Sequence, residues 1–407
     1  MEYLYKYYYN NEQKDYKEEV KKRLSAPSRI EFNFKVKQYK REDKHRLYFI
    51  PTLKMIKMVE AIAKRDRLLD KYFDALPDSA REAFEREVIT NELFSTNDLE
   101  GVKSTKREIA ESVKLAKENK KTKKTTRFLS MANSYLSLYL NEIKLPSTPQ
   151  DIRKIYDKIS ASEVEEEDKI DGKYFRLDGV DVKTSTGKVI HQGINGHENI
   201  IIAIDKMLDI LNGYEEISAI IKVAVAHYIF GYIHPFYDGN GRTSRFINSL
   251  YLSKSHSRLT SISLSRAINN NSKKYYEIFE HTNSTLNAGE LNEFIETFLE
   301  YIIKGQEEVK NELVIKLRLI DSAFLKLSSE KKLENKDQKY FDALFIIGQI
   351  QLFTDNDLTV QAMASYLEVA EITARKVLND LVDMGLLEVE GSRPKLYKSI
   401  EGYFDFE

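Results

Sequence analysis

Residues 234–245, HPFYDGNGRTSR, bring together a histidine, an aspartate, an asparagine between two glycines, and two arginines. That set suits phosphate. Gly239, Asn240 and Gly241 all tolerate positive φ, so their successive N–H groups can converge on an anion, with the Asn240 side chain as a further donor. Apolar Phe246, Ile247 and Leu250 predict a helix starting near Asn240 to Arg242, with its positive end aimed at the same place. Arg242 and Arg245 share the first turn of that helix, and the planar arginine fork matches phosphate oxygens. Asp238 would repel a phosphate unless a divalent cation bridged the two, and Mg2+ characteristically takes one or two carboxylates plus phosphate oxygens. His234 has an ordinary pKa near neutrality, as a general base requires. A Gly-Asn-Gly turn or a lone histidine is commonly structural, but the four features together point to nucleotide chemistry. The chain has no G-x-x-x-x-G-K-[ST] loop to supply the ordinary route.

The elements that must position these residues read mostly as helices. ISAIIKVAVAHYIFGYI, 217–233, is apolar on nearly every face. Lys222 and His227 interrupt it and it is shorter than the ~20 residues of a membrane span, so a buried core helix is expected. Three- and four-residue apolar spacing predicts helices from Leu53 to Phe94 with a turn at Pro77-Asp78, and again through FLSMANSYLSLYLNEI until Pro146 and Pro149. Further helices are expected over His197–Leu211, Glu215–Ile233, Arg242–Ser253, 272–280 and 289–330. The basic run Lys117–Arg127 reads as a solvated loop or helix end. Val180, Val182 and Val189 alternate with polar residues around Thr184-Ser185-Thr186-Gly187, which predicts a small hairpin, the only one expected before residue 300.

Charged Ser328–Gln338 reads as a linker, and residues 339–407 read as three helices and a hairpin with a Gly-Ser-Arg-Pro tip, the order of a winged helix-turn-helix. The expected fold class is mainly α, divided into an N-terminal helical region 1–144, a core 145–327, the linker 328–338 and a winged helix 339–407. Lys plus Arg total 63 and Asp plus Glu 64, so no overall charge excess argues for nucleic acid or an anionic membrane. Cysteine is absent, which excludes disulfides, thiolate metal sites and cysteine nucleophiles. The N-terminus lacks the apolar run of a signal peptide, and a cytoplasmic protein without a membrane partner is expected.

At residues 234–245 the chain resembles Fic-domain proteins, meeting every specified position of HPF-x-[DE]-GNGR-x-x-R. The resemblance implies an all-helical Fic core over about residues 145–305 that transfers AMP from ATP to a Ser, Thr or Tyr hydroxyl of a protein, with the chain itself left open as one such target. It implies that His234 deprotonates the hydroxyl, Asp238 holds Mg2+, Gly239, Asn240 and Gly241 form the anion hole, and Arg242 and Arg245 bind the β- and γ-phosphates. Phe236 looks like the family's packing anchor, and an acid at 238 favours adenylylation over phosphorylation. The 174–194 hairpin sits where the family carries a flap that holds the target peptide by strand addition, with Gln192-Gly193 in place of the usual prolines. NSKKYYEIFEHTN resembles the adenine-side helix, with Tyr276 and Asn283 placed for a stacking or hydrogen-bonding contact; packing accounts equally well for Tyr275 and Tyr276.

FSTNDLEGVKST, 94–105, reads on composition as a helix terminus, with Thr96 and Glu100 on one face and Gly101 ending the turn. It also resembles the family's [ST]-x-x-x-E-[GN] inhibitory motif, as in class II members. That implies a self-inhibited enzyme in which Glu100 pairs with Arg245 in the γ-phosphate's fork. Such a contact is worth ~4 kcal/mol at an effective dielectric of about 20, before desolvation. Alternatively, Glu100 orients water to remove AMP at the same site. A DNA-binding regulator is the rival class. Arg375, Lys376 and Asn379 of the expected recognition helix are offset by Glu371, Asp380 and Asp383, and Arg393, Lys395 and Lys398 of the wing only partly compensate. That balance favours protein docking or a homodimer over DNA for residues 339–407.

Overall fold

The computed structural model describes residues 1–117, 126–183, 187–353 and 358–406. Most of the basic run 117–127 and the hairpin turn Thr184-Ser185-Thr186 lie outside the described residues. The fold is mainly helical, as expected, with small strand pairs. In chain order, α1 (Leu4–Asn10) and α2 (Gln13–Leu24) precede a hairpin of β1 (Ile30–Lys37) and β2 (Lys44–Phe49). Then come α3 (Leu53–Asp74), α4 (Asp78–Leu99), α5 (Lys106–Lys117), α6 (Leu129–Tyr139) and α7 (Pro149–Ile159). A second hairpin, β3 (Asp181–Lys183) and β4 (Val189–Gln192), leads to α8 (His197–Asn212), α9 (Ala219–Ile233) and α10 (Asn240–Leu252). Short α11 (Arg258–Ser261) and α12 (Leu264–Asn269) are followed by α13 (Ser272–Asn283) and the long α14 (Asn292–Ser328). The chain ends with α15 (Gln338–Phe353), β5 (Leu358–Thr359), α16 (Val360–Tyr366), α17 (Glu371–Asp383), β6 (Leu387–Glu390) and β7 (Leu396–Ser399).

Two compact units result, residues 1–67 with 89–307, and residues 68–88 with 308–407. These do not follow the expected boundaries at 144 and 328. In the first unit, α9 is buried from Val223 to Phe230, as its all-round apolar sequence predicts, and packs against α8 and α10. It begins at Ala219 rather than Glu215. Helix α7 starts on local chemistry: the Thr148 hydroxyl accepts from Asp151 N at 3.3 Å, Pro149 opens the first turn, and Ile152, Ile155, Tyr156 and Ile159 form its buried face. The β1–β2 hairpin corrects the expectation of a single hairpin before residue 300. Its cause is alternation, since Phe32, Phe34 and Val36 are buried and the residues between them exposed.

The second unit holds α15, α16, α17 and an antiparallel sheet in the order β5-β7-β6. Its core gathers Leu344, Ile347, Met363, Val377, Leu378, Leu381 and Tyr397 together with Ala323 and Leu327 from the end of α14. The segment 328–338 is structured, with a short turn of helix at Lys331–Leu333 and a hydrogen bond from Lys332 Nζ to Met384 O of 2.8 Å. Among the described residues no helix is long and apolar enough to cross a membrane.

Candidate active site

The site forms where α9 ends and α10 begins. His234 caps α9 in the left-handed conformation at φ 50°, and Gly239 caps α10 at φ 77°. The loop between them is closed by Asn240, whose Oδ1 accepts from Phe236 N at 3.0 Å and whose Nδ2 donates to Phe236 O at 2.8 Å. Phe236 is fully buried and stacks on Tyr156 with ring centroids 3.8 Å apart. On the other side, Ser160 Oγ donates to Gly239 O at 3.2 Å, and a Cβ at Gly239 would lie 2.6 Å from that of Ser160. The loop is thereby fixed at both ends.

A cavity of about 330 Å³ opens beside it. Its lining includes His234, Asn240, Gly241, Arg245, Tyr276, Asn283 and Glu100, so seven of the residues singled out by sequence meet in one place. The Arg245 guanidinium is buried and donates from Nε to Thr96 Oγ1 at 2.8 Å, and from Nη2 to Thr96 O at 3.0 Å and to Glu100 Oε1 at 2.8 Å. Burial works against its charge, yet the facing carboxylate of Glu100 more than offsets this and holds the Arg245 pKa above its ordinary value. The same carboxylate lies against Gly241, where a Cβ would come within 2.0 Å of Glu100 Oε1. Thr96 comes from the last turn of α4 and Glu100 from the turn just beyond its end at Leu99, where Gly101 takes φ 70° and Val102 N bonds back to Asn97 O at 3.0 Å.

His234 Nδ1 lies 3.4 Å from Gly231 O, which makes it the donor and leaves the Nε2 lone pair free. Burial, followed by the neighbouring His191 ring, lowers its pKa to about 4, so the ring is neutral at pH 7. Tyr276 is half-exposed on the cavity wall and reaches Leu99 O at 3.3 Å, whereas Tyr275 is buried and bonds His227 Nε2 at 2.8 Å. Asn283 Oδ1 accepts from the Tyr228 hydroxyl at 2.7 Å.

The family model described as Fic/DOC family matches residues 146–252. This segment is a Fic/DOC domain. Among solved structures, a Fic family protein from Desulfovibrio desulfuricans is 18% identical over 87% of this chain and 98% of its own, with a TM-score of 0.51, which shows a shared fold. A Fic domain containing signaling protein from Bacteroides thetaiotaomicron is 15% identical over 64% of this chain and 96% of its own, with a TM-score of 0.41. Fic-1 from C. elegans is 16% identical over 65% and 73%, with a TM-score of 0.41.

Within the Fic/DOC domain some expectations need correcting. Of the three residues that tolerate positive φ only Gly239 has it; Asn240 and Gly241 are already helical, and the Asn240 side chain is engaged with Phe236 rather than offered to an anion. Arg242 and Arg245 do not share a partner: Arg242 is buried, donates from Nη2 to Asp238 Oδ2 at 3.0 Å, and like Asp238 stands outside the cavity lining. Its Nε and Nη1 are buried without a hydrogen-bond partner. Two residues of the hairpin segment 174–194 were not singled out by sequence. His191 of β4 lines the cavity with Nε2 2.7 Å from Tyr232 O, and Arg176 is fully buried behind His234. A third, Glu92 on α4, is buried and accepts from Ser265 N at 3.1 Å. No local motif marks any of the three.

Proposed function

We propose that this protein transfers AMP from ATP to a hydroxyl of a protein and that Glu100 holds it at rest. Proteins with a Fic domain commonly transfer a nucleotide monophosphate to proteins, and the observation that carries the reading here is where the Glu100 carboxylate lies. It rests against Gly241 at the N-terminus of α10 and in the fork of Arg245, a place built for an anion. With Glu100 displaced, a terminal phosphate of ATP takes that position and the base lies along α13 beside Tyr276 and Asn283. The hydroxyl oxygen attacks the α-phosphorus, the bond from that phosphorus to the β-bridging oxygen breaks, pyrophosphate leaves, and the hydroxyl proton passes to His234 Nε2. The low pKa of His234 keeps Nε2 unprotonated at neutral pH.

Asp238 and Arg242 fit a supporting role. A partly exposed carboxylate close in sequence to the anion site matches the one-or-two-carboxylate habit of Mg2+, and the unpartnered Arg242 Nε and Nη1 are donors that a phosphate could meet only if the buried Arg242 side chain moved. Among the described residues no cluster of three His, Cys, Asp or Glu side chains could hold a metal by protein ligands alone, so the phosphates would complete the shell. When bound there, Mg2+ would neutralise phosphate charge.

Mass spectrometry after incubation with ATP and Mg2+ tests the reading. Glu100→Gly should gain one or more AMP adducts that the native chain gains more slowly and that Glu100→Gly/His234→Ala lacks. A phosphate adduct in place of AMP would overturn it, and equal labelling of the native chain and Glu100→Gly would remove the inhibitory role.

For residues 339–407 we propose a winged helix used for protein docking. The exposed face of α17 carries Glu371 and Asp383 beside Arg375 and Lys376, and Ile372 is 85% exposed, a mixed surface ill suited to phosphate contacts. Duplex DNA binding by the full chain that weakens steeply with salt and is lost in Arg375→Glu/Lys376→Glu would overturn this.

A further inference from the structure

Arg176 is among the largest fully buried side chains, with Arg242 and Arg245. Those two each face a carboxylate, Asp238 and Glu100. Arg176 instead directs its side-chain hydrogen bonds to main-chain carbonyls: Nε to His234 O at 2.9 Å, Nη2 to Ile194 O at 2.8 Å and to Ile233 O at 3.4 Å, and Nη1 to Asp178 O. Burial lowers its pKa to about 10, which leaves it charged at neutral pH. A buried cation is costly unless its donors are met, so this one must answer a need.

That need is at the end of α9. Ile233 and His234 carry carbonyls that the helix leaves unpaired, and a cation at a helix C-terminus is favourable. His234 has a left-handed backbone, which is unfavourable for a non-glycine residue and persists only when its surroundings hold it. The other two carbonyls, of Asp178 and Ile194, belong to the chain entering β3 and leaving β4. One guanidinium thus ties both ends of the hairpin to the residue that carries the imidazole. The Arg176 N–H adds a bond to Pro235 O at 3.3 Å, and Ile194 N adds one to Ile233 O at 3.0 Å.

Gly193 makes the arrangement feasible. A Cβ there would stand 2.5 Å from Arg176 Nη2 and 3.0 Å from both His234 Cβ and Ile233 O. The glycine that replaces the proline expected after the hairpin is therefore the gap through which the guanidinium and the His234 backbone approach the chain.

We propose that Arg176, admitted by Gly193, is a positioning residue for His234, fixing the main chain at the end of α9 so that imidazole and hairpin keep one geometry. This rests on the reading of His234 as the base. The test uses the full chain in the Glu100→Gly background, with AMP transfer followed as a function of ATP concentration and pH. A misplacement of about 1 Å costs on the order of 100-fold, so Arg176→Met should lower kcat by about that factor. The KM for ATP should stay within about two-fold, because α10 and Arg245 still bind the nucleotide. Arg176→Lys should recover part of the loss, and Gly193→Ala should reproduce it with the guanidinium present. Both remain informative if Arg176→Met fails to fold. Independently of activity, the His234 pKa measured by NMR should rise in Arg176→Lys and Gly193→Ala as the ring loosens toward solvent. Unchanged kcat and unchanged His234 pKa in these two variants would overturn the proposal, as would a parallel loss of kcat, ATP affinity and melting temperature in every variant. Full transfer by His234→Ala would instead overturn the assignment of the base, and the NMR result would still decide what Arg176 does.

Discussion

At the scale of single residues the site is built from side chains spent on the protein itself. Asn240 sits at the centre of the GNGR run, where the sequence offers it as an anion donor, but both ends of its amide hold the main chain of Phe236. Its loss should therefore be felt without any nucleotide. Asn240→Ala leaves a buried N–H and a buried carbonyl unpaired, each worth about 1–3 kcal/mol, and chemical denaturation of the ligand-free protein should register a loss of about 2–6 kcal/mol. A residue serving only phosphate would leave that measurement unchanged. His234 and Glu100 could be named in advance because their motifs are contiguous and their chemistry is particular. Arg176 could not: an arginine in FRLDG gives no sign that its partners are four carbonyls drawn from three places in the chain.

At the scale of elements, Glu92 and Thr96 of α4 and Glu100 of the turn that follows it stand at four-residue intervals, so one stripe running off the end of the helix bears all three acceptors. Thr96 and Glu100 hold Arg245, while Glu92 accepts from Ser265 N and Oγ. Burial raises the Glu92 pKa to about 7, only partly countered by the Ser265 bonds and by Arg245. In the unfolded chain the same carboxyl ionises near 4.5, so the folded state binds the extra proton between these values. Its contribution to stability is fully present below pH 4.5 and is lost as pH rises through 7. Glu92→Gln keeps an acceptor for Ser265 without the charge. It should melt several degrees above the native protein at about pH 8, with the difference closing by about pH 5. The stripe was half legible, because Thr96 and Glu100 belong to a motif and Glu92 does not. The β1–β2 hairpin was missed for another reason: its alternation runs through a tyrosine- and charge-rich region, and only Phe32, Phe34 and Val36 carry it.

At the scale of the whole molecule, helical content and the order of helices and hairpin after residue 338 were legible from periodicity and turn residues. The partition was not, because a charged, glycine-free stretch such as 328–338 looks like a linker whether or not its neighbours pack. Ala323 and Leu327 belong to the core of the second unit, and Ser79 of that unit bonds Gln349. A fragment beginning at residue 339 should therefore be less stable than one beginning at 308. Burial of Leu327 alone is worth ~2 kcal/mol, and thermal melts followed by circular dichroism would separate the two. In the first unit, Arg245 gives α4 the donors that the proposed substrate would need. The two occupants therefore stand in strict thermodynamic reciprocity. Whatever free energy the seated turn at Thr96 to Gly101 subtracts from nucleotide affinity, nucleotide must subtract from the seating of that turn. A brake of the proposed kind would also sense what it restrains, since the concentration of ATP would set how often the turn at Thr96 to Gly101 lets go.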